Sequence, residues 1–405
     1  MKTYELYEEN KCCGCGACVV TCPKKAITMK NNQYGFIYPE IDEITCIDCG
    51  ACKNICAFTK ENSHITSDCL VCVNKDYEQI MNSASGGVFS AIASSFIASG
   101  GFVCGATSKF ENGIIKVEHV VINTLSELKK LQGSKYVQSN TVNAFKEIKK
   151  LLNKGEKVLF SGTPCQVDAI KSMCKKYIGL SLYTVDIICH GVPSQMFFNE
   201  YLKEYQKRCK SNLTYLDFRN KRFGWGLTGI SKFENNVEKL MTPNTSSYYK
   251  YFLDGEIYRP NCYSCPYANQ DRVGDITIGD YWGVENLSPE IVKSMDISVH
   301  NGVSCVIINT VIGHKILDIY GKNLKKHPVE IEKVMIINTQ LREPAKHTQK
   351  RAWILQTFSK KGYGSIEKSF QRDLLFTKIK KKIKQIFPKP LKNMVKNVYI
   401  KNKNK

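Results

Sequence analysis

The chain has 405 residues, 43% of them hydrophobic, with 19 cysteines and a formal charge of +21. That length exceeds one ordinary core, so two or three domains are expected. No apolar run reaches the roughly eighteen residues of a membrane span, and the leading MKTYELYEENK has no secretory pattern. So many free thiols predict a reducing, cytoplasmic setting, and the absence of a basic recognition motif argues against nucleic acid as a partner.

The chain opens on one cysteine pattern written twice: Cys12-x-x-Cys15-x-x-Cys18-x-x-x-Cys22-Pro23, then Cys46-x-x-Cys49-x-x-Cys52-x-x-x-Cys56. Three thiolates at i, i+3 and i+6 on a tight loop grip three corners of an iron–sulfur cube, while the fourth points away. In two-cluster ferredoxins that fourth cysteine ligates the other cluster. The pattern therefore assigns Cys12, Cys15, Cys18 and Cys56 to one 4Fe–4S cluster, and Cys46, Cys49, Cys52 and Cys22 to a second. A zinc site would ask for ligands in pairs. Gly14, Gly16 and Gly50 suit loops that pass close to a cluster. Cys13 breaks no spacing rule and is not expected to be a ligand. Short strands are expected in the second half of each repeat, as at Ala26-Ile27-Thr28-Met29. The module spans 1–60.

After a polar joint (Glu61 to Asp68) comes Cys69-Leu-Val-Cys-Val73, an apolar β-rich run. Its Cys69-x-x-Cys72 is either a redox pair or, as we favour, two small buried residues in a strand. Ser85-Gly86-Gly87 then precedes a long apolar helix ending near Gly100-Gly101. Free amides and glycines at such a start make an anion site, although glycine pairs also begin plain helices. Residues 102–110 and 114–122 read as a hairpin turning at Glu111-Asn112-Gly113. Thr124 and Glu127 read as a capping box for a short helix, which leads into Gln132-Gly-Ser-Lys-Tyr-Val-Gln138.

Strand–loop–helix units follow. Residues 140–153 read as a helix, and strand 157–161 ends in Gly162-Thr163-Pro164-Cys165-Gln166, where a helix starts. Strand 181–188 ends in Cys189-His190-Gly191-Val192-Pro193-Ser194, with Ser194 capping helix 195–209. In parallel α/β units ligands gather beyond the strands' carboxyl ends, and both cysteines fall there. Residues 216–219, 228–233 and 237–241 look like strands, the last two turning at Asn235-Asn236. Cys262-Tyr-Ser-Cys265-Pro266 has a metal-binding spacing and alone is half a zinc knuckle. With Cys165 and Cys189 it gives four thiols on loops, enough for a third 4Fe–4S site should they converge. Cys104, Cys174, Cys209 and Cys305 read as ordinary cysteines.

The end of the chain is basic: Leu374 to Lys405 holds eleven lysines and no acid. Residues 374–387 show apolar positions at roughly helical spacing. This is either a solvated end or a peripheral contact with an anionic membrane surface or an acidic partner. Each thiolate-bound cluster is a dianion and lowers the net charge by about two.

Taken together, Ser83-Ala-Ser-Gly-Gly-Val-Phe89, Gln132-Gly-Ser-Lys-Tyr136, Gly162-Thr-Pro-Cys-Gln166, Asp186-Ile-Ile-Cys-His-Gly-Val-Pro-Ser194, Phe218-Arg-Asn-Lys221 with Gly224-Trp225, Cys262-Tyr-Ser-Cys-Pro266, Arg272-Val-Gly-Asp-Ile-Thr-Ile-Gly-Asp-Tyr-Trp-Gly283 and Gly302-Val-Ser304 carry a resemblance. In this order they resemble the beta subunits of coenzyme F420-reducing hydrogenases and dehydrogenases, and their bacterial relatives with a fused ferredoxin. The resemblance covers residues 1 to about 345. It implies an α+β protein in which a small bacterial-type dicluster ferredoxin domain precedes a mixed α/β flavin and iron–sulfur domain. Its regions would be 1–60, a FAD-associated part at 68–150, a flavin and 4Fe–4S catalytic part at 155–345, and a basic tail at 346–405.

The resemblance further implies a third 4Fe–4S cluster on Cys165, Cys189, Cys262 and Cys265, with FAD held by Ser85, Gly86 and Gly87 and by Lys135 and Tyr136. The implied activity is an FAD- and 4Fe–4S-dependent oxidoreductase. A carrier or partner subunit would deliver electrons, which pass through three clusters to FAD and on to an organic small-molecule acceptor. Lys135 and Arg272 would stabilise negative charge on phosphate or reduced flavin. His190 would donate a proton to substrate, unless it is a loop residue bonded to backbone. Asp275 and Asp280 would hydrogen-bond cofactor or substrate, or cap loops. Arg219 and Lys221 would meet an acidic substrate, or belong to a solvated strand edge. A non-enzymatic electron-transfer subunit is the alternative, and a zinc-and-cluster scaffold without flavin is a third reading.

Overall fold

The computed structural model describes residue 8 and residues 10–56, 68–111 and 113–386, with side chains of the last helix described to residue 380. The strand expected after Cys56, the joint before Asp68, Asn112 of the hairpin turn and the tail beyond 386 lie outside the described residues.

In the N-terminal module, β1 (Ile27–Asn31) pairs antiparallel with β2 (Ile37–Ile41). The turn between them forms because the Asn32 carboxamide accepts from the amides of Tyr34 and Phe36, both at 3.0 Å. Each cysteine loop ends in a glycine with left-handed backbone, Gly16 (φ 73) or Gly50 (φ 69), which starts a short helix, Ala17–Thr21 or Ala51–Asn54.

The main body is built on one mixed sheet. Its strands are β3 (Asp68–Asn74), β4 (Phe102–Glu111), β5 (Ile114–Ile122), β6 (Val158–Gly162) and β7 (Leu182–Ile187) from the first half of the body. A smaller antiparallel sheet holds β8 (Leu213–Asp217), β9 (Gly229–Phe233) and β10 (Glu238–Met241). The large sheet resumes with β11 (Ile276–Asp280), β12 (Ser304–Ile308) and β13 (Leu324–Pro328), in the order β13-β3-β12-β11-β7-β6-β4-β5. The four strands β4, β6, β7 and β11 run parallel, and antiparallel pairings flank them. Regions 68–150 and 155–345 thus share one sheet.

Alternation of side chains divides that sheet's core in two. Leu159 and Val185 face the helices Val88–Ala98 and Val311–Tyr320, whereas Val158 and Phe160 face Val142–Asn153 and Pro164–Met173. Both faces are covered, so the central strands read as continuous apolar runs. Burying one such side chain stabilises by about 1.5–3 kcal/mol. The same alternation decides the Cys69-x-x-Cys72 question. Cys69 and Cys72 pack in different core clusters, so β3 carries two buried thiols on opposite faces and not a redox pair.

Two local expectations need correction. Residues 125–130 form a 3-10 helix, and Thr124 makes no cap to its backbone; its hydroxyl donates to Glu127 Oε2 at 3.0 Å instead. The strand expected at 216–219 lies at Leu213–Asp217 because it pairs with β9 through a bulge. A genuine capping box occurs at Thr163 and Gln166, which begins the helix Pro164–Met173.

Candidate functional site

Parallel strands β6, β7 and β11 end on the same side, and their following loops carry Thr163 to Cys165, Cys189 to His190, and Tyr281 to Trp282. Ligands collect at such a place in α/β sheets. The N-terminal module docks nearby. Arg259, fully buried, donates to the carbonyls of Cys12 and Ile37 (both 2.8 Å) and stacks on Tyr38 at 4.1 Å. Gln138 Nε2 donates to the Cys13 carbonyl at 3.0 Å, and Thr141 Oγ1 to that of Cys15 at 2.6 Å.

Within the module the thiols fall into two groups. Cys22, Cys46, Cys49 and Cys52 line one small chamber with Pro23 and Gly50. Cys12, Cys18 and Cys56 influence one another electrostatically, as do Cys15 and Cys18. Burial pushes the Cys12 thiol up to about 11 and the Cys18 thiol to about 12, and neighbouring cysteines push the same way. A cationic iron–sulfide core removes that penalty, since coordination deprotonates a thiol outright. Backbone amides already point at sulfur, Gly14 N at Cys12 Sγ (3.4 Å) and Ala26 N at Cys22 Sγ (3.3 Å), as they do around cluster ligands. Among the described residues no three His, Cys, Asp or Glu side chains stand close enough to hold one metal ion. Thiolates of a four-iron cube bind separate irons and stand further apart.

A second thiol chamber lies in the main body. The capping box at Thr163 fixes Cys165 in the first helical turn, and Thr163 Oγ1 lies 3.2 Å from its sulfur. The end of β7 supplies Cys189, and the 3-10 turn Pro260–Ser264 with its following residue supplies Cys262 and Cys265. All four line the chamber, as do Arg259, Arg272 and also Cys13. Burial drives the Cys189 thiol up to about 12, with Cys265 adding to it. Buried Asn261 lines the same wall with Oδ1 lacking a partner; turned over, its amide would donate to a sulfide. Two guanidinium groups and an unengaged amide suit an anionic cluster. Arg272, expected beside a flavin, lines this chamber instead: it pairs with Asp186 at 3.1 Å and donates to the Ile187 carbonyl at 2.9 Å.

Against that chamber lies a cavity of about 530 Å³, a size usual for organic cofactors. The two share Cys13, Thr163, Cys165, Cys189, His190, Gly191 and Val192. Ser85, Gly87, Lys135, Tyr136, His190 and Asp280 line the cavity. Gly86 is instead a packing glycine, where a Cβ would sit 2.7 Å from the Cys72 carbonyl. Gly87 (φ 78) starts the helix Val88–Ala98 with no capping side chain, which leaves its leading amides for an anion.

Lys135 does not offer a free ammonium. Its three donors go to the carbonyls of Gln132 (2.6 Å), Gly133 (3.2 Å) and Lys130 (3.3 Å), bracing its own loop. Burial lowers its pKa to about 7, against an opposing pull from Asp217. Arg219 pairs with Asp280 at 3.1 Å and also binds Tyr136 and the Ala84 and Gly226 carbonyls. Trp225 donates to Asp280 at 3.2 Å and stacks on Trp282 at 4.1 Å. Lys221, 4% exposed, donates to the carbonyls of Ile80 and Ser85. Neither Arg219 nor Lys221 is a solvated edge. Asp275 stands apart, stitching β11 to β7 through the Thr184 amide (2.8 Å) and hydroxyl (2.7 Å).

Sequence reasoning passed over His119. It lines the cavity from β5, its ring stacked on Phe160, with Nε2 at 3.0 Å from the Ser161 carbonyl and Nδ1 without a partner. Burial lowers its pKa to about 4, so the ring is neutral and Nδ1 is an acceptor. One histidine in an alternating strand gives no sequence signal for this.

These features define an iron–sulfur protein: a dicluster module docked beside a cavity at the carboxyl ends of a mixed sheet. Residues 155–333 match the family model for the C terminus of the coenzyme F420 hydrogenase/dehydrogenase beta subunit, and residues 11–60 match that of the 4Fe-4S dicluster domain. The chain belongs to the coenzyme F420 hydrogenase/dehydrogenase beta subunit family and carries an N-terminal 4Fe–4S domain. It is 21% identical to the F-type subunit of the F(420)H(2) dehydrogenase of Methanosarcina mazei over 329 residues, 78% of this chain and 84% of that one. Over 57 residues, 14% of this chain and 72% of the relative, it is 33% identical to the VorC component of ketoisovalerate oxidoreductase from Methanothermobacter marburgensis. A chain of the F420-reducing [NiFe] hydrogenase complex from Methanosarcina barkeri overlays with a TM-score of 0.44 at 16% identity, covering 76% of this chain and 93% of that one.

Proposed function

We propose that the chain is an oxidoreductase relaying electrons from the two ferredoxin-type clusters through a third 4Fe–4S cluster, held by Cys165, Cys189, Cys262 and Cys265, to FAD in the large cavity, and on to an organic acceptor. One observation carries this reading: the thiol chamber and the cavity share a wall containing Cys165 and Cys189. Bound there, FAD would collect single electrons in pairs and hand them on as a two-electron unit.

The chain's own residues hold the geometry. Arg259 and Arg272 place positive charge against the thiol chamber. The Gly87 helix start receives phosphate, Lys135 keeps the adjoining loop in shape, and His119 Nδ1 accepts from a cofactor N–H or O–H. His190 and Asp280 stand on the cavity wall where an acceptor would enter, with Trp282 offering a flat face. A carrier or partner protein supplies electrons. Leu375, Phe376 and Ile379, exposed on the last helix beside lysines, support peripheral contact with an anionic surface. Among the described residues no helix is long and apolar enough to cross a membrane.

The test is an anaerobic preparation assayed for iron, sulfide, zinc and flavin. About twelve irons and one FAD per chain are expected. Zinc in place of the last four irons, or a preparation without FAD, overturns the proposal. Reduction of an acceptor only in the presence of a partner protein would transfer the substrate site to that partner.

A further inference from the structure

By spacing alone Cys13 has no role, since both cube motifs are complete without it. The fold gives it a distinctive position. It is covalently next to Cys12, in the first ferredoxin set, and its thiol lies within hydrogen-bonding reach of the sulfurs of Cys15, in the same set, and Cys165, in the main-body chamber. It lines both that chamber and the large cavity. Among the described residues it is the one cysteine on the wall of the chamber that belongs to neither loop set of that chamber.

The surroundings are built to keep it there. Gln138 holds its carbonyl, Arg259 holds that of Cys12, and Thr141 that of Cys15. Gly14 (φ 66) lies so close that a Cβ would come within 2.8 Å of Gln138 Nε2 and 2.9 Å of the Ile37 carbonyl. Gly16 fits against Val142 in the same way, at 2.5 Å. Five consecutive residues of the ferredoxin module are thus pressed into the main body, and the sulfur of the second of them is what touches Cys165.

We infer that the Cys13 side chain is the contact through which electrons cross from the ferredoxin module to the main-body thiol site. Electron tunnelling falls steeply with empty distance and is carried better by bonded or touching atoms. A route through the Cys12–Cys13 peptide and one sulfur–sulfur contact replaces a gap with matter. One electron leaves a reduced ferredoxin-type cluster and one arrives at the oxidised main-body cluster. The Cys13 thiol forms and breaks no bond and ends in the oxidation state in which it began. This role rests on the three-cluster reading.

The experiment uses the full chain, prepared anaerobically as wild type, Cys13→Ser and Cys13→Ala. Iron per chain and electron paramagnetic resonance of the reduced clusters are measured first. Rapid-mixing reduction then follows how fast electrons reach the main-body site after the ferredoxin clusters are reduced. The expected result is unchanged iron and unchanged individual spectra, weaker magnetic interaction between clusters, and transfer slowed at least tenfold in Cys13→Ala and less in Cys13→Ser. Unchanged transfer and interaction in both variants overturns the inference, because Cys13 is then filler. Loss of about four irons overturns it too, because Cys13 is then a ligand. Wild-type protein with only about eight irons defeats the three-cluster reading itself, before any variant is compared.

Discussion

Lys221 is a cation held under a backbone turn, and its setting has a sign that can be measured. Burial, reinforced by Arg219, lowers its pKa from 10.5 to about 7. Between those values the unfolded chain binds the extra proton, so this group makes stability rise with pH. Wild type should therefore gain on Lys221→Met as pH climbs from about 7 to 10, in urea titrations of the reduced, iron-loaded chain. A gap independent of pH would show that the ammonium is solvated. Cys165, Cys189, Cys262 and Cys265 were legible as metal-type thiols because spacing and loop position are local properties. Which wall Arg272 joins was not legible, since that is decided by its pairing with Asp186 on a neighbouring strand. His119 was invisible for the same reason: its orphaned nitrogen exists only once β4 and β5 curl over the cavity.

At the scale of elements, the two cysteine loops offer a controlled comparison. Gly16 and Gly50 share a left-handed backbone (φ 73 and φ 69), yet a Cβ at Gly16 meets Val142 whereas one at Gly50 meets nothing within 4 Å. Gly50→Ala should cost only the left-handed penalty, about 1–2 kcal/mol. Gly16→Ala should cost more, by roughly a further 1–3 kcal/mol for overpacking, in anaerobic thermal unfolding. Equal losses would mean that the docked loop gives way freely. Helices and strands of strong period were readable to within a few residues, including Val88–Ala98, the β4–β5 hairpin and the helix capped by Ser194. Thr124 misled because a 3-10 turn lets its hydroxyl reach Glu127 instead of a backbone amide. The bulge shifting β8 is a property of its partner strand, not of its own residues.

Over the whole molecule, Arg259 is the pin between the two iron–sulfur parts. It is fully buried, and its replacement by methionine leaves the carbonyls of Cys12 and Ile37 without donors. A loss of about 3–6 kcal/mol is expected from two charge-assisted hydrogen bonds. Hydrogen–deuterium exchange should speed up in β1, β2 and residues 12–16 before it does in the large sheet. Uniform acceleration would mean that module and body unfold together. Such docking is beyond sequence reading, because Arg259 lies in a loop far along the chain with no motif to mark its partner.

The placement of β3 carries one more consequence. It is made early yet sits between β12 and β13, which lie near the other end of the chain. A strand lodged between late-made neighbours waits for them, and such long-range pairing is slow. As the chain leaves the ribosome, the cysteine-rich head is therefore free to take up iron while the large sheet is still open. The body closes around a head that has already matured.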